Sequence, residues 1–188
     1  MNTLNWSEIN INTIFNISYG NKLDMCQMEE DCNGIPFVTR TASNNGIGGY
    51  VARIDSIMPY HAGCLTIALG GSIGSTFLQE RNFYTSQNVA VLQPIYELSR
   101  EVLIFIATLI QKESENRFVA FGRELNKHIK VDFTIKLPID SKGTPDWNEI
   151  EQIVNKEIIP KIPNKAKSVW NNKYKNNPVF DVKRNLDI

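Results

Sequence analysis

The residues able to do covalent or acid–base chemistry are few, and none is spaced for it. His61 and His128 are the only histidines in the 188-residue sequence. Neither stands at a triad-like spacing from a serine, cysteine or carboxylate. His61, in "MPYHAGCLT", precedes a strand and reads as a structural or surface residue; His128, in "RELNKHIK", reads as solvated within a basic loop. Cys26, Cys32 and Cys64 are odd in number and lack metal-ligand spacing, so reduced thiols and no metal site are expected. HExxH, the phosphate loop GxxxxGK[ST] and the adenine-methylating Asn/Asp-Pro-Pro-Tyr are all absent. A stand-alone hydrolase using His61 or Cys64 is the weakest alternative.

What the sequence offers instead is hydrogen bonding. "TRTASNNGIGGY" (39–50) and "LGGSIGST" (69–76) are two glycine-bent, hydroxyl- and amide-rich loops. The second resembles a phosphate cradle only loosely, having no lysine and no clear helix after it. Asn44-Asn45-Gly46 favours positive backbone dihedrals, hence a sharp turn with projecting amides. Asn and Gln side chains carry a donor and an acceptor in one plane, the pairing that reads adenine in the major groove; Arg does the same for guanine, and Ser or Thr serves either. The first loop supplies Arg40, Thr41, Ser43, Asn44 and Asn45, and the second Ser72, Ser75 and Thr76. Backbone N–H groups at Gly71 and Gly74 suit a phosphate, and Gln79, Arg81 and Tyr84 lie just downstream. The bland alternative is a pair of ordinary hairpin turns.

The elements that must hold these loops follow from periodicity. β-Prone runs occupy 34–40, 48–56, 63–71 and 88–94, with a turn-rich segment, "STFLQERNFYTSQ", before the last. Residues 95–116 place Leu98, Val102, Phe105, Ile106 and Leu109 at three- and four-residue steps, which predicts an amphipathic helix. A turn at Phe121-Gly122, a basic loop and a strand around Val131 to Leu137 follow. Thr144-Pro145-Asp146 then starts a helix with Trp147, Ile150, Ile153, Val154 and Ile158 on one face, closed by Pro160 and Pro163. Strands, a helix, a returning strand and a closing helix predict an α+β fold: a twisted, largely antiparallel sheet with one packed amphipathic helix and a C-terminal helix. The boundaries read as a domain over 1–146, the helix over 147–160 and a basic Asn/Lys-rich tail over 161–188.

Composition narrows the partners. Apolar residues make up 42% of the chain, enough for a core. The net charge is zero, which does not suit a sequence-blind polyanion binder. Residues 1–60 hold Lys22, Arg40 and Arg53 against six acids, while 161–188 hold seven basic residues against Asp181 and Asp187. The longest apolar run, Val102 to Ile110, is far short of a membrane span, and "MNTLNWSEIN" has no secretory pattern, so a cytoplasmic protein is expected.

Taken in order, four stretches resemble the target recognition domain of restriction–modification specificity subunits, closest to the type I and BcgI-like variety. They are "NWSEININTIFNISYGNKLD", "IPFVTRTASNNGIGGYV", "GCLTIALGGSIGSTFLQERNFYTSQNVAVLQP" and "FGRELNKHIKVDFTIKLPIDSKGTPDW". The resemblance implies a non-catalytic reader of double-stranded DNA, without a cofactor of its own. A partner methyltransferase with S-adenosylmethionine, and in many systems a nuclease subunit, does the chemistry. It implies base contacts from Arg40, Ser43, Asn44 and Asn45, with Ser72, Ser75, Gln79 and Tyr84 as second candidates. Arg123, Lys127 and Lys130, with Gly71 and Gly74, are expected on phosphates; a solvated basic loop is the alternative for the three cations. The stripe Trp147, Ile150, Ile153, Val154 and Ile158 is expected to dock a partner, or else to cap the domain's own sheet. Typical specificity subunits carry two such domains and this chain has room for one, so a self-pairing half-subunit or a piece of a modular assembly is expected. The competing reading is a decoy or inhibitor that keeps the fold and does not read DNA.

Overall fold

The computed structural model describes residues 5–119 and 122–163. Its strands are β1 (Trp6–Asn10), β2 (Phe15–Ser18), β3 (Glu30–Val38), β4 (Ile47–Val51), β5 (Leu65–Ala68), β6 (Thr76–Leu78), β7 (Tyr84–Thr85), β8 (Val89–Pro94) and β9 (Thr134–Pro138). Its α-helices are α1 (Arg100–Arg117), α2 (Leu125–His128) and α3 (Trp147–Ile153), the last running on through a π turn at Val154–Ile158 and a 3-10 turn at Ile159–Lys161. The fold is α+β and largely antiparallel, but the expected single sheet is divided into three. The largest has the order β2-β8-β5-β6 and is antiparallel throughout. A second has the order β4-β3-β7, in which β3 and β7 run parallel. The third is the pair β1-β9, which brings the first described strand against the last. Register shifts break the β3-β4 ladder between Glu30 and Ile35 and again between Phe37 and Val38, and such irregularities bend a strand and raise its twist.

Helix α1 begins at Arg100, five residues later than periodicity suggests. Ser99 is its N-cap, accepting from the Val102 N–H, and caps of this kind hold one of the helix's orphan donors. Its buried stripe is Val102, Leu103, Ile106, Ala107, Ile110 and Ser114, set against β6. These side chains join Phe15, Leu65, Ile67 and Leu92 of the main sheet in one large core. Each large aliphatic side chain buried there contributes about 1.5–3 kcal/mol relative to exposure. Two smaller clusters support the loops: Val38, Cys64, Phe83, Val89 and Val91 in one, Phe37, Val51 and Tyr84 in the other. The loop ends of β3, β5 and β8 are thereby held on packed strands rather than on each other alone.

The stripe on α3 is largely turned inward. Ile150 is fully buried and Val154 nearly so, both in the main core, with Trp147 and Ile158 packed against it. Ile150 and Val154 cap their own domain and are not available to a partner; Trp147, Ile153 and Ile158 are half-buried. The Trp147 ring lies 5.5 Å from that of Tyr96, which is itself exposed. Of the expected turn at Phe121-Gly122, Phe121 lies outside the described residues, as does the tail from Asn164 onward.

Candidate nucleic-acid interface

Four loops meet at one end of the sheets. The first, residues 39–46, closes through the Thr39 N–H on the Gly46 carbonyl at 2.8 Å. Asn44, Asn45 and Gly46 are consecutive left-handed residues, with φ of 49°, 57° and 76°. Only Asn and Gly adopt this region at little cost, so the local sequence selects the turn. The second loop, 69–75, is tied to the first, because the Ser72 N–H donates to the Arg40 carbonyl at 3.1 Å. Gly71, at φ +66°, lets the backbones approach closely: a Cβ there would lie 3.1 Å from the Arg40 carbonyl oxygen. The third loop, 86–88, is joined to the second by the Asn88 carbonyl, which accepts from the Leu69 N–H at 2.8 Å. The fourth, 19–25, is bound to β7 by a reciprocal pair: the Asn21 N–H donates to Thr85 Oγ1 at 2.7 Å and the Thr85 N–H to Asn21 Oδ1 at 3.1 Å.

Between these loops lies an open cleft of about 590 Å³, lined by Asp24, Met25, Thr39, Arg40, Gly71 and Gln87 among others. All four non-glycine residues with positive φ among the described residues, Lys22, Asn44, Asn45 and Asn88, sit in the loops around it. For Lys22 (φ 59°) that conformation costs about 1–2 kcal/mol, and strain of this kind gathers at functional sites. Arg40 is exposed on the rim. It is the one arginine among the described residues whose guanidinium has no partner in the protein. Arg81 donates to the Gly34 carbonyl, Arg53 to Met58 sulfur, and Arg100, Arg117 and Arg123 pair with carboxylates.

The residues singled out from sequence separate into two groups. Arg40, Ser43 and Asn44 are exposed, and Ser72 is half-buried beside Arg40. Asn44 spends one amide hydrogen on the Ile47 carbonyl. Asn45 is turned down: its Nδ2 donates to the Leu78 carbonyl at 2.9 Å. Gln79, Tyr84 and Ser75 are interior, with 2%, 0% and 7% exposure. Gln79 Nε2 serves the Asn45 carbonyl and Thr66 Oγ1, and the Tyr84 hydroxyl accepts from the Ile54 N–H and donates to the Ile57 carbonyl. The side-chain polar groups of Gln79 and Tyr84 are consumed inside the protein and Ser75 is buried, so these three are corrected from base contacts to interior positions beneath the loops. Gly74 is corrected likewise: it is buried against Ser114 and its N–H donates to the Ala68 carbonyl, which leaves nothing for a phosphate. Gly71 remains exposed.

The basic segment is anchored by Leu125 and Ile129, both buried, and leaves Arg123, Lys127 and Lys130 exposed. Arg123 lies 3.7 Å from Asp132 and Lys127 3.5 Å from Glu124. Lys130 Nζ sits 4.3 Å over the Tyr19 ring, while the Tyr19 hydroxyl donates to the Asn126 carbonyl. Tyr19 thus couples the basic segment to the 19–25 loop. His128 is not simply solvated: Nδ1 lies 2.8 Å from Asp132 Oδ1. That hydrogen bond, with the neighbouring Arg123 and Arg117 charges, holds the Asp132 carboxyl below its ordinary range. Lys22, Asp24, Gln87 and Asn88 escaped the sequence reading. Lys22 follows the turn-forming Asn21 and Asn88 is itself a turn former, but nothing local says that turns so far apart in sequence share one cleft.

Nucleophilic chemistry finds no footing here. Burial raises the Cys64 thiol to about 11, the reverse of an activated nucleophile, and His61 is exposed. No group of three or more candidate metal ligands occurs among the described residues. No described helix is long and apolar enough to cross a membrane.

With this geometry in place, the comparison with known proteins is decisive. The profile of the type I restriction modification DNA specificity domain matches residues 3–168. The chain belongs to that family. This specificity domain is 26% identical over 155 residues to the type II restriction enzyme specificity subunit S.BcgI of Heyndrickxia coagulans, an alignment covering 82% of this chain and 44% of the relative. Its fold is that of the type I restriction–modification S subunit from M. genitalium, with a TM-score of 0.62 at 17% identity over 94% of this chain and 41% of the other. The HsdS subunit from Thermoanaerobacter tengcongensis superposes with a TM-score of 0.60 at 16% identity, over 90% and 40% of the two chains. The specificity domain therefore spans less than half the length of these relatives.

Proposed function

We propose that this specificity domain reads a short sequence in double-stranded DNA through the four-loop cleft and adds no chemistry of its own. The observation that carries the reading is Arg40. Its guanidinium is without a partner, its backbone is pinned by Ser72, and it stands where the four loops converge. An arginine so prepared suits bidentate contact with a base edge, whereas the exposed lysines at 127 and 130 suit phosphates, which position the protein without specifying sequence. A methyltransferase subunit holding S-adenosylmethionine, and a nuclease subunit where the system has one, would act at the site so chosen. Two copies related by a two-fold axis would read two half-sites.

Selection of bound sites from a random duplex pool, with and without a methyltransferase subunit, tests this reading. Recovered duplexes are expected to share one short sequence. A chain that binds the methyltransferase but enriches no sequence contradicts the reading and leaves the decoy in its place.

A further inference from the structure

Asp24 and Arg40 line the same cleft with opposite charges, and no ion pair joins them. Two exposed cations elsewhere in the described residues do find carboxylates, Arg123 with Asp132 and Lys127 with Glu124. Both cleft residues are held in place by bonds that leave their binding atoms open. Asp24 is the N-cap of the turn Met25–Gln27, its Oδ1 accepting from the Cys26 N–H at 3.1 Å. Its carboxylate makes no other hydrogen bond among the described residues. Arg40 is fixed through its main chain on Ser72 and Gly71, which leaves all its guanidinium donors unused.

A carboxylate facing DNA is repelled by the surrounding phosphates unless it meets a donor. In the major groove the donors are the amino groups of cytosine N4 and adenine N6. The fork that matches a guanidinium is guanine O6 with N7. A G·C pair presents both features on one edge, two acceptors from guanine beside one donor from cytosine, whereas adenine interposes its amino group next to N7. We propose that the cleft reads one G·C base pair from the major groove, Arg40 donating to guanine O6 and N7 and Asp24 accepting from cytosine N4. The inference rests on the DNA-reading function proposed above and adds to it the identity of a base pair and a residue, Asp24, that reads half of it.

The full chain and the duplexes it recovers from a random pool provide the test. One position of the shared sequence is expected to be G·C in nearly every duplex. Placing 7-deazaguanine there removes only the N7 acceptor and weakens binding by the unaltered protein about tenfold or more. The same replacement leaves Arg40→Ala unaffected, since the lost partner is already gone. Arg40→Ala and Asp24→Ala are each expected to relax that one position and no other. Relaxation of two different positions, or of none, overturns the proposal. So does a shared sequence in which 7-deazaguanine has no effect at any guanine, a result that needs no variant and leaves DNA reading intact. A pool that yields no shared sequence overturns the DNA-reading function and this proposal together.

Discussion

The buried amide of Gln79 holds the main chain of Asn45, its Nε2 donating to the Asn45 carbonyl at 3.1 Å. The same nitrogen reaches Thr66 Oγ1 at 2.9 Å, and the Asn45 side chain returns a bond to the Leu78 carbonyl. One interior side chain therefore links β5, β6 and the left-handed turn of the first loop. Polar groups buried this way are costly when a partner is removed, because the orphaned group loses water as well.

Gln79→Ala is expected to destabilise the domain by roughly 1–3 kcal/mol and to free the 39–46 loop. Urea denaturation measures the first effect. Faster amide exchange at Asn45 and Gly46, with β8 unchanged, measures the second.

Tyr84→Phe removes a hydroxyl that serves the Ile54 N–H at 3.1 Å and the Ile57 carbonyl at 2.9 Å. A loss of roughly 1–3 kcal/mol in stability is expected, with the recognised DNA sequence unchanged. A changed sequence preference would return Tyr84 to the base-contact set.

Thiol labelling separates the cysteines. Cys26 and Cys32 are exposed and Cys64 is buried, so at pH 8 two thiols are expected to react in the folded protein and the third only on unfolding. The Cys64 thiol is raised from 9.0 to about 11 by burial. Below pH 9 both folded and unfolded states keep the proton and nothing is lost. Between pH 9 and 11 the unfolded chain releases it while the folded chain does not, so stability falls as pH rises. Cys64→Ala should remove that alkaline loss, read from denaturation midpoints across the same window.

The Asp132 carboxyl is held low first by its hydrogen bond to His128. A depressed carboxylate contributes stability above its ordinary range and loses it as pH falls through the folded value. In a carbon-detected titration, His128→Ala is expected to move Asp132 back up toward 3.8. An unchanged titration would assign the effect to Arg123 and Arg117 instead.

The fold was legible where periodicity is strong. The stripe from Val102 to Ile110 and the Pro145-Asp146 helix start appear in place, because each is decided by nearest neighbours in sequence, whereas the β-prone run over 48–56 is strand only as far as Val51. The division into three sheets was not legible, since it depends on pairings distant in sequence: β1 with β9, and β7 parallel to β3 with Phe37 opposite Tyr84. The site was half legible. Arg40 and Asn44 announce themselves by type and turn chemistry, and they are exposed. Gln79 and Tyr84 carry the same chemistry, but tertiary packing buries them together with their neighbours Leu78, Phe83 and Thr85, and there the same groups brace the loops. Asp24 and Gln87 are brought to the cleft by bonds between the 19–25 loop and the end of β7, the Asn21–Thr85 pair and the Leu23 N–H on the Thr85 carbonyl, which no local pattern encodes. The wide stripe on α3 was legible as apolar but not as to its occupant: the domain's own core takes Ile150 and Val154.

The most direct test compares binding of the selected duplex with a scrambled one at a fixed moderate salt concentration. For Arg40→Ala, the affinity ratio between the two duplexes is expected to fall by about 5- to 150-fold, the range set by one bidentate base contact. For Lys127→Ala, both affinities are expected to drop by the same factor, with a shallower salt dependence. An Arg40→Ala protein that discriminates as well as the unaltered one would contradict the account.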